Sequence, residues 1–461
     1  MTRAAYAPDP PGPKGLPWFG SLGDLRRNPM LFFTAVSQRY GGIVRYMYGR
    51  KPTFLVSHPD LVREFLVDHR TDYVKNKRYA VLHQALGTGL LTSEGDTWKH
   101  QRRATQDALG RQTIRAQVPW TAEVVNGHLD RWEDIADAGA VHDVEPDLTL
   151  IIEYLIGCWI FGPAFRGEIG RRFTDLITSM RQNWPSQPRR LIALQLPPLG
   201  KIRRLKRTLR AVDDIMYEAI ARQRRDDSED YSLLSSLARA AVGPEGRKFS
   251  DAELRDQLLT LFHAGFETSA SLLTFLFYRL SLQPEVRTRL FAEVDSVLDG
   301  RVPTAENLAQ LEFTEWCLNE TLRLYPPAYN FSRIALVEHT IGGYRIPKDS
   351  MVIVSPFATH RLPEIWPNPE GFDPDRFSPS ASQDRSAFAF IPFGAGHRFC
   401  VGAPLAQVQT KIVTALICQR YELDVEAGYT AEPAPGTVMR PAAGMPMTIR
   451  RRHDAPARRI A

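Results

Sequence analysis

Phe393-Gly394-Ala395-Gly396-His397-Arg398-Phe399-Cys400-Val401-Gly402 sets one cysteine in a glycine-rich turn, with an arginine two residues before it. A helix-like segment follows over residues 403–419. Glycines at 394, 396 and 402 let backbone run close to a flat macrocycle and permit positive φ. Backbone N–H groups of such a turn, and of the helix start beyond it, can stabilise a sulfur anion. A thiolate is a soft, electron-rich axial ligand for iron in such a macrocycle, and it favours O–O cleavage there. Arg398 sits in the same loop, within reach of a carboxylate on the macrocycle edge. The alternative is a buried cysteine beside a turn, a frequent fate of that residue.

Composition narrows the classes. The chain has 461 residues and is 43% hydrophobic, ordinary for a globular protein with a full core. Its four cysteines, Cys158, Cys317, Cys400 and Cys418, are widely spaced, which argues against a disulfide framework or a zinc site. The net charge of +6 is modestly basic. The basic residues are dispersed and no nucleic-acid module is present, so no nucleic-acid partner is expected; an acidic protein partner explains the charge equally well. Met1-Thr2-Arg3-Ala4-Ala5-Tyr6 leads straight into proline-rich polar sequence, so no secretory signal is expected. The longest apolar stretch, residues 148–161, contains Glu153 and falls short of the ~20 residues that span a bilayer. A soluble, cytoplasmic monomer without a transmembrane anchor is expected. One domain over residues 1–461 is expected, with a flexible proline-rich start (1–15) and a basic tail (452–461).

Helical spacing of apolar residues dominates, with short β-like pieces near 43–48, 52–57 and 344–356. The pattern predicts an α-rich α+β fold with small sheets. Ser250-Asp251-Ala252-Glu253 reads as a capping box, and no proline interrupts the apolar pattern until Pro284. A helix of roughly 32 residues would run about 48 Å. At its centre lies Ala264-Gly265-Phe266-Glu267-Thr268. Gly265 costs roughly 1 kcal/mol relative to alanine, so either close helix packing or a widened, ligand-accommodating turn should compensate. Glu320 and Arg323 fall at i and i+3 on a helix that ends before Pro326-Pro327, a spacing usually seen in surface pairs. Arg376 follows in a proline-punctuated, non-helical stretch, Phe372-Asp373-Pro374-Asp375-Arg376-Phe377.

Five motifs occur in order: Trp98-Lys99-His100-Gln101-Arg102, A-G-x-E-T at 264–268, E-x-x-R at 320–323, P-D-R-F at 374–377 and the cysteine loop. Together they resemble the cytochrome P450 family from about Pro11 to Arg451. The resemblance implies haem b, with Cys400 as its proximal thiolate in a loop that includes Phe393 and Gly394. It implies Trp98, Arg102, Arg333 and Arg398 as partners of the haem propionates, and buried carboxylates need paired cations. Glu320, Arg323 and Arg376 match a buried structural triad. Glu267 and Thr268 match an acid–alcohol pair that delivers protons during oxygen activation, beside Ala264 and Gly265, which leave space for O2. His360-Arg361-Leu362-Pro363 departs from many members in having leucine where they have aspartate.

By analogy with the family, the substrate pocket draws on Val81, Leu82, Leu86, Leu90, Leu261, Tyr329, Phe331 and Met445, and on residues 181–199. These residues can equally be core. Apolar linings suit terpenoid, steroid, fatty-acid or polyketide skeletons. The basic–apolar run 189–210 reads as a solvated amphipathic helix with its loop, with contact to a membrane surface as the alternative. No reductase segment follows Arg451, so electrons are expected from a separate ferredoxin or flavodoxin with an NAD(P)H-dependent reductase, met by Lys99 and Arg103. A soluble bacterial monooxygenase is the leading expectation. Oxidative coupling or rearrangement without oxygen insertion, and a haem sensor without turnover, are the alternatives.

Overall fold

The computed structural model describes residues 7–76, 79–162, 165, 167–183, 200–226, 230–242 and 246–452. The 184–199 part of the expected pocket region lies outside them, as do the side chains of Val81 and Arg181. The backbone groups into two compact units. One comprises Met1–Lys77, Asn319–Cys400 and Glu432–Ala442, the other Arg78–Leu318, Val401–Ala431 and Ala443–Ala461.

The first unit carries a five-stranded sheet in the order 43–48, 51–56, 351–354, 331–335, 73–75. Ile43–Tyr48 and Lys51–Val56 form a hairpin, Tyr48 pairing with Lys51 across Gly49 and Arg50. Gly49 takes φ +62°, which only glycine adopts cheaply. Lys51–Val56 then pairs in parallel with Met351–Val354, which pairs antiparallel with Phe331–Ala335. Side chains alternate between faces. Ile43, Phe54, Val56, Val352 and Val354 pack on one side. Val44, Tyr46, Leu55 and Ile353 meet Phe32 and Phe33 on the other.

The second unit is mainly helical, with a three-stranded sheet of Tyr421–Val425, Pro446–Arg451 and Val141–Asp143. Its long helix is Asp251–Ser281. The capping box forms in both directions: the Ser250 hydroxyl accepts from the Glu253 N–H, and the Glu253 carboxylate accepts from the Ser250 N–H. Arg247 holds that carboxylate in a fork at 2.7 and 2.8 Å. With 31 residues the helix runs about 46 Å, and its apolar residues face every direction, as in a helix at the centre of a fold. It packs against Val144–Phe161. No helix among the described residues is long and apolar enough to cross a membrane.

Candidate functional site

In the first unit, the cysteine loop is closed by its own backbone. Gly394 N–H donates to the Ile391 carbonyl at 3.0 Å, Phe399 N–H to Gly396 at 3.1 Å, and Cys400 N–H to Phe393 at 2.9 Å. Gly394 and Gly396 adopt φ +72° and +69°. A Cβ at Gly396 would lie 2.5 Å from the Leu66 carbonyl oxygen, whereas one at Gly394 would meet nothing within 4 Å. The first glycine therefore keeps a face of the loop open and the second lets it press against the chain behind. Of the four cysteines, Cys400 alone is exposed. Burial pushes the Cys418 thiol up to about 12, which leaves it inert as a thiolate. Phe393 and Arg398 are half-buried in the same loop, and Phe399 is exposed. Arg333 lies on the strand Phe331–Ala335, its guanidinium donating to the Ser332 carbonyl at 2.9 Å.

The same unit holds a charge cluster built on a wholly interior pair. Glu320 and Arg323 have side chains 0% exposed, so the surface-pair reading of their spacing does not hold. Arg323 grips both Glu320 oxygens at 2.7 Å and donates to the carbonyls of His360, Pro369 and Gly371 at 3.0, 2.7 and 2.8 Å. Glu320 also accepts the Asp373 N–H at 2.9 Å and lies 3.5 Å from the Arg376 Nε. Arg376 belongs to a single 3-10 turn, Pro374–Phe377, capped by Asp373, where the sequence predicted no helix at all. Proline at its first position is compatible with such a turn. One residue thus staples three carbonyls of a connecting segment that has no ladder of its own.

The segment that departs from the family pattern is part of the same interior. His360 is fully buried; its Nε2 accepts the Ile391 N–H at 2.9 Å, so the Nδ1 carries the proton and donates to the Arg323 carbonyl at 3.2 Å. Burial, aided by the Arg323 charge, holds its pKa down at about 3. Arg361 donates to the Leu324 carbonyl at 2.7 Å and pairs with Glu370 at 2.9 Å. Leu362 is buried, and an apolar side chain suits that position.

In the second unit, the long helix is α-helical from end to end, so of the two readings of Gly265 the widened turn does not hold. Close packing supplies the reason for glycine: a Cβ there would lie 3.0 Å from the Ile156 Cδ1. Its centre is nevertheless distinctive. Ala264 is exposed and Gly265, Glu267 and Thr268 are half-buried, although the helix is buried on either side of this turn. The Thr268 hydroxyl donates to the Ala264 carbonyl at 2.9 Å, one turn back, as threonine often does in helices. Trp98 and Arg102 lie one turn apart on Gly95–Ala108 and are both half-buried. Lys99, paired with Asp96 at 2.8 Å, and Arg103 are exposed.

The apolar pocket candidates divide. Leu82, Leu86, Leu90 and Leu261 are buried in the second unit, and Tyr329 and Phe331 are half-buried in the first. Met445 is fully buried and its N–H is held by Asp143 at 2.8 Å, the core reading. Sequence reasoning missed the network that pins residues 88–93 in the second unit. Thr88 N–H donates to Asp256 at 2.6 Å and Leu90 N–H to Gln257 at 3.2 Å. Gln101 bridges the Thr88 carbonyl and the Ser93 hydroxyl. Arg255 joins Asp256 to Asp213. No local signal announces partners this far apart in sequence.

Comparison with known proteins decides the family. The cytochrome P450 profile matches residues 10–446. The chain belongs to the cytochrome P450 family. Among relatives of this P450, the cyclooctat-9-en-7-ol 5-monooxygenase of Streptomyces melanosporofaciens is 31% identical over 93% of this chain and 90% of its own. The pentalenene oxygenase of Streptomyces avermitilis is 29% identical over 93% and 94%. Among solved structures, a retinoic acid-bound cyanobacterial CYP120A1 superposes with a TM-score of 0.84 over 96% of this chain and 99% of its own, at 23% identity. That likeness establishes the fold, mainly helical with small sheets. The P450 is thus a monooxygenase by family, and the family implies haem. The residues present fit that group: an exposed thiol, an open glycine face, aromatic rings and a guanidinium share one loop.

Proposed function

We propose that this P450 inserts one atom of O2 into an apolar, terpenoid-like substrate, by hydroxylation or epoxidation, using electrons from a separate ferredoxin or flavodoxin and its NAD(P)H-dependent reductase. The observation that carries the reading is the exposure of Cys400, alone among the cysteines, in a loop with an open glycine face. When bound, haem supplies oxygen activation on its thiolate-ligated iron. Cys400 would hold the iron; Trp98, Arg102, Arg333 and Arg398 would hold the propionates by charge-assisted hydrogen bonds. The buried Glu320–Arg323 pair fixes the segment 360–373 and acts through structure alone.

Thr268 and Glu267 would move protons. Because the Thr268 hydroxyl already donates to Ala264, its lone pairs are left to accept from water or from an O–H. Glu267, in the same turn, is the acid that can resupply such a proton. The terpenoid class rests on two supports. The relatives' names specify cyclooctat-9-en-7-ol and pentalenene as the compounds they oxidise, and Leu82, Leu86, Leu90 and Leu261 are apolar. Cytoplasmic residence as a monomer belongs to the same proposal.

Thr268→Ala tests it. With a surrogate ferredoxin system, the variant should bind substrate and consume NAD(P)H while peroxide rises and organic product falls. An unchanged ratio of product to NAD(P)H would make Thr268 a plain helix residue and favour coupling or rearrangement without oxygen insertion.

A further inference from the structure

The chain behind the cysteine loop is a π-turn. The helix Pro59–Arg63 runs on through Glu64–Asp68 with the wider π spacing, and the His69 N–H reaches back to the Glu64 carbonyl at 3.0 Å. It is the only such stretch among the described residues. π-turns are rare, appear mostly as single turns and gather at functional sites. Here the turn presents a carbonyl to the cysteine loop. The Leu66 oxygen lies against Gly396, so close that a Cβ there would stand 2.5 Å from it. Gly396 opens the 3-10 turn Gly396–Arg398, which the Phe399 N–H closes, and Cys400 follows. Ile391 and Ala395 of the same loop belong with or pack on the apolar cluster that holds Phe65, Leu66 and Tyr73. One side of the loop thus rests on the π-turn.

Polar groups grip that turn at both ends. Glu64, its first residue, accepts the Gly342 N–H on one carboxylate oxygen at 3.0 Å. Gly342, at φ +57°, presses on the preceding helix, where a Cβ would stand 2.7 Å from the Leu61 Cδ2. His69, the residue after the turn, donates from Nδ1 to Asp72 at 2.9 Å, while its Nε2 lies 4.0 Å from the other Glu64 oxygen. The His69 ring stands 4.5 Å from that of His339. His339 donates from Nδ1 to the Val337 carbonyl at 3.2 Å and accepts the Tyr73 O–H on Nε2 at 2.7 Å. Burial lowers the His339 pKa and raises that of Tyr73, so the ring stays neutral and the phenol keeps its proton. The Tyr73 ring in turn meets Phe65 of the π-turn edge-on at 4.5 Å. The side chains of Glu64, His69 and Asp72 are only half-buried. Pairs of that kind add little to overall stability, so their convergence on one turn speaks for placement rather than strength.

We propose that Glu64 and His69 are positioning residues for the iron ligand: they hold the π-turn, its Leu66 carbonyl holds Gly396, and Gly396 holds the cysteine four residues on. The proposal rests on Cys400 as that ligand. The test follows the red-shifted Soret band of the reduced carbon-monoxide complex of the full chain with haem as it decays to the unshifted form, together with the reduction potential of the iron. Glu64→Ala and His69→Ala should each speed the decay about tenfold, the rate equivalent of one lost hydrogen bond. Both should raise the potential, because a displaced thiolate gives less electron density to the iron. Glu64→Gln keeps an acceptor for the Gly342 N–H and should stay within about threefold of the unsubstituted protein. Asn28→Ala removes a helix cap in the same unit and should change neither readout, which separates placement from a general loss of stability. Should an alanine variant fail to take up haem, His69→Gln, which keeps a donor for Asp72 but loses the ring against His339, should still speed the decay about threefold. Unchanged decay and potential in the Glu64 and His69 variants would overturn the proposal, as would an equal effect from Asn28→Ala. Cys400→Ser tells the two readings apart. If it lacks the red-shifted band while the Glu64 and His69 variants behave as the unsubstituted protein, the positioning alone fails. If it keeps the band, the ligand assignment fails and the positioning with it.

Discussion

Arg323→Ala is the perturbation whose cost follows most directly from the geometry. The substitution strips Glu320 of a bidentate partner at a site with no solvent exposure. Breaking a buried pair in this way costs about 3–5 kcal/mol, because the remaining charge has neither water nor a counter-ion. Arg376, 3.5 Å away, offsets part of that. Three carbonyls, those of His360, Pro369 and Gly371, also lose their donor, at about 1–3 kcal/mol each where water cannot replace it. The sum approaches the ~5–15 kcal/mol that holds an ordinary domain folded. Arg323→Ala should therefore accumulate as apoprotein or inclusion bodies. Arg323→Lys should fail almost as badly, since an ammonium cannot reproduce the fork that spans a carboxylate and three carbonyls. The assay is haem content per chain by absorbance, with the urea midpoint of whatever soluble protein is recovered. An Arg323→Ala protein with full haem content and an unshifted midpoint would refute the reasoning.

Two further outcomes are expected. His360, held neutral in the fold with a pKa of about 3, takes up a proton near pH 6.5 only when unfolded. The unfolded state then binds more protons below pH 6.5, so stability is lost as pH falls from 6.5 toward 3, by about 1.4 kcal/mol per unit. Urea midpoints at pH 7.5 and pH 5 should show about 2 kcal/mol of such loss, and His360→Gln should lack it although less stable overall; equal pH slopes would count against the assignment. At the long helix, Gly265→Val should cost about 1–3 kcal/mol by overpacking against Ile156, and adding Ile156→Ala should recover part of it. A thermal midpoint for the double variant no higher than additivity gives would show that Ile156 is not the obstacle.

Much of this was legible in the sequence because its signals are local. The capping box at Ser250 and Glu253, the β-like pieces near 43–48 and 52–57 and the glycine spacing before Cys400 each depend on residues a few positions apart. The remainder depends on partners brought together only by folding. Glu320 and Arg323 advertise an i,i+3 pair, but nothing local says that the pair is interior or that Arg323 gathers carbonyls from residues 360–371. Gly265 left close packing and a widened turn equally open, because the neighbour that decides between them, Ile156, lies on another helix. Asp256 and Gln257 read as ordinary polar helix residues until Thr88 and Leu90 are seen to lean on them.

The central claim is that Cys400 is the iron ligand. The decisive measurement is the Soret band of the reduced carbon-monoxide complex in Cys400→Ser beside Cys158→Ala, Cys317→Ala and Cys418→Ala. The red-shifted thiolate band should vanish in the first and persist in the other three. A normal band in Cys400→Ser would contradict the account.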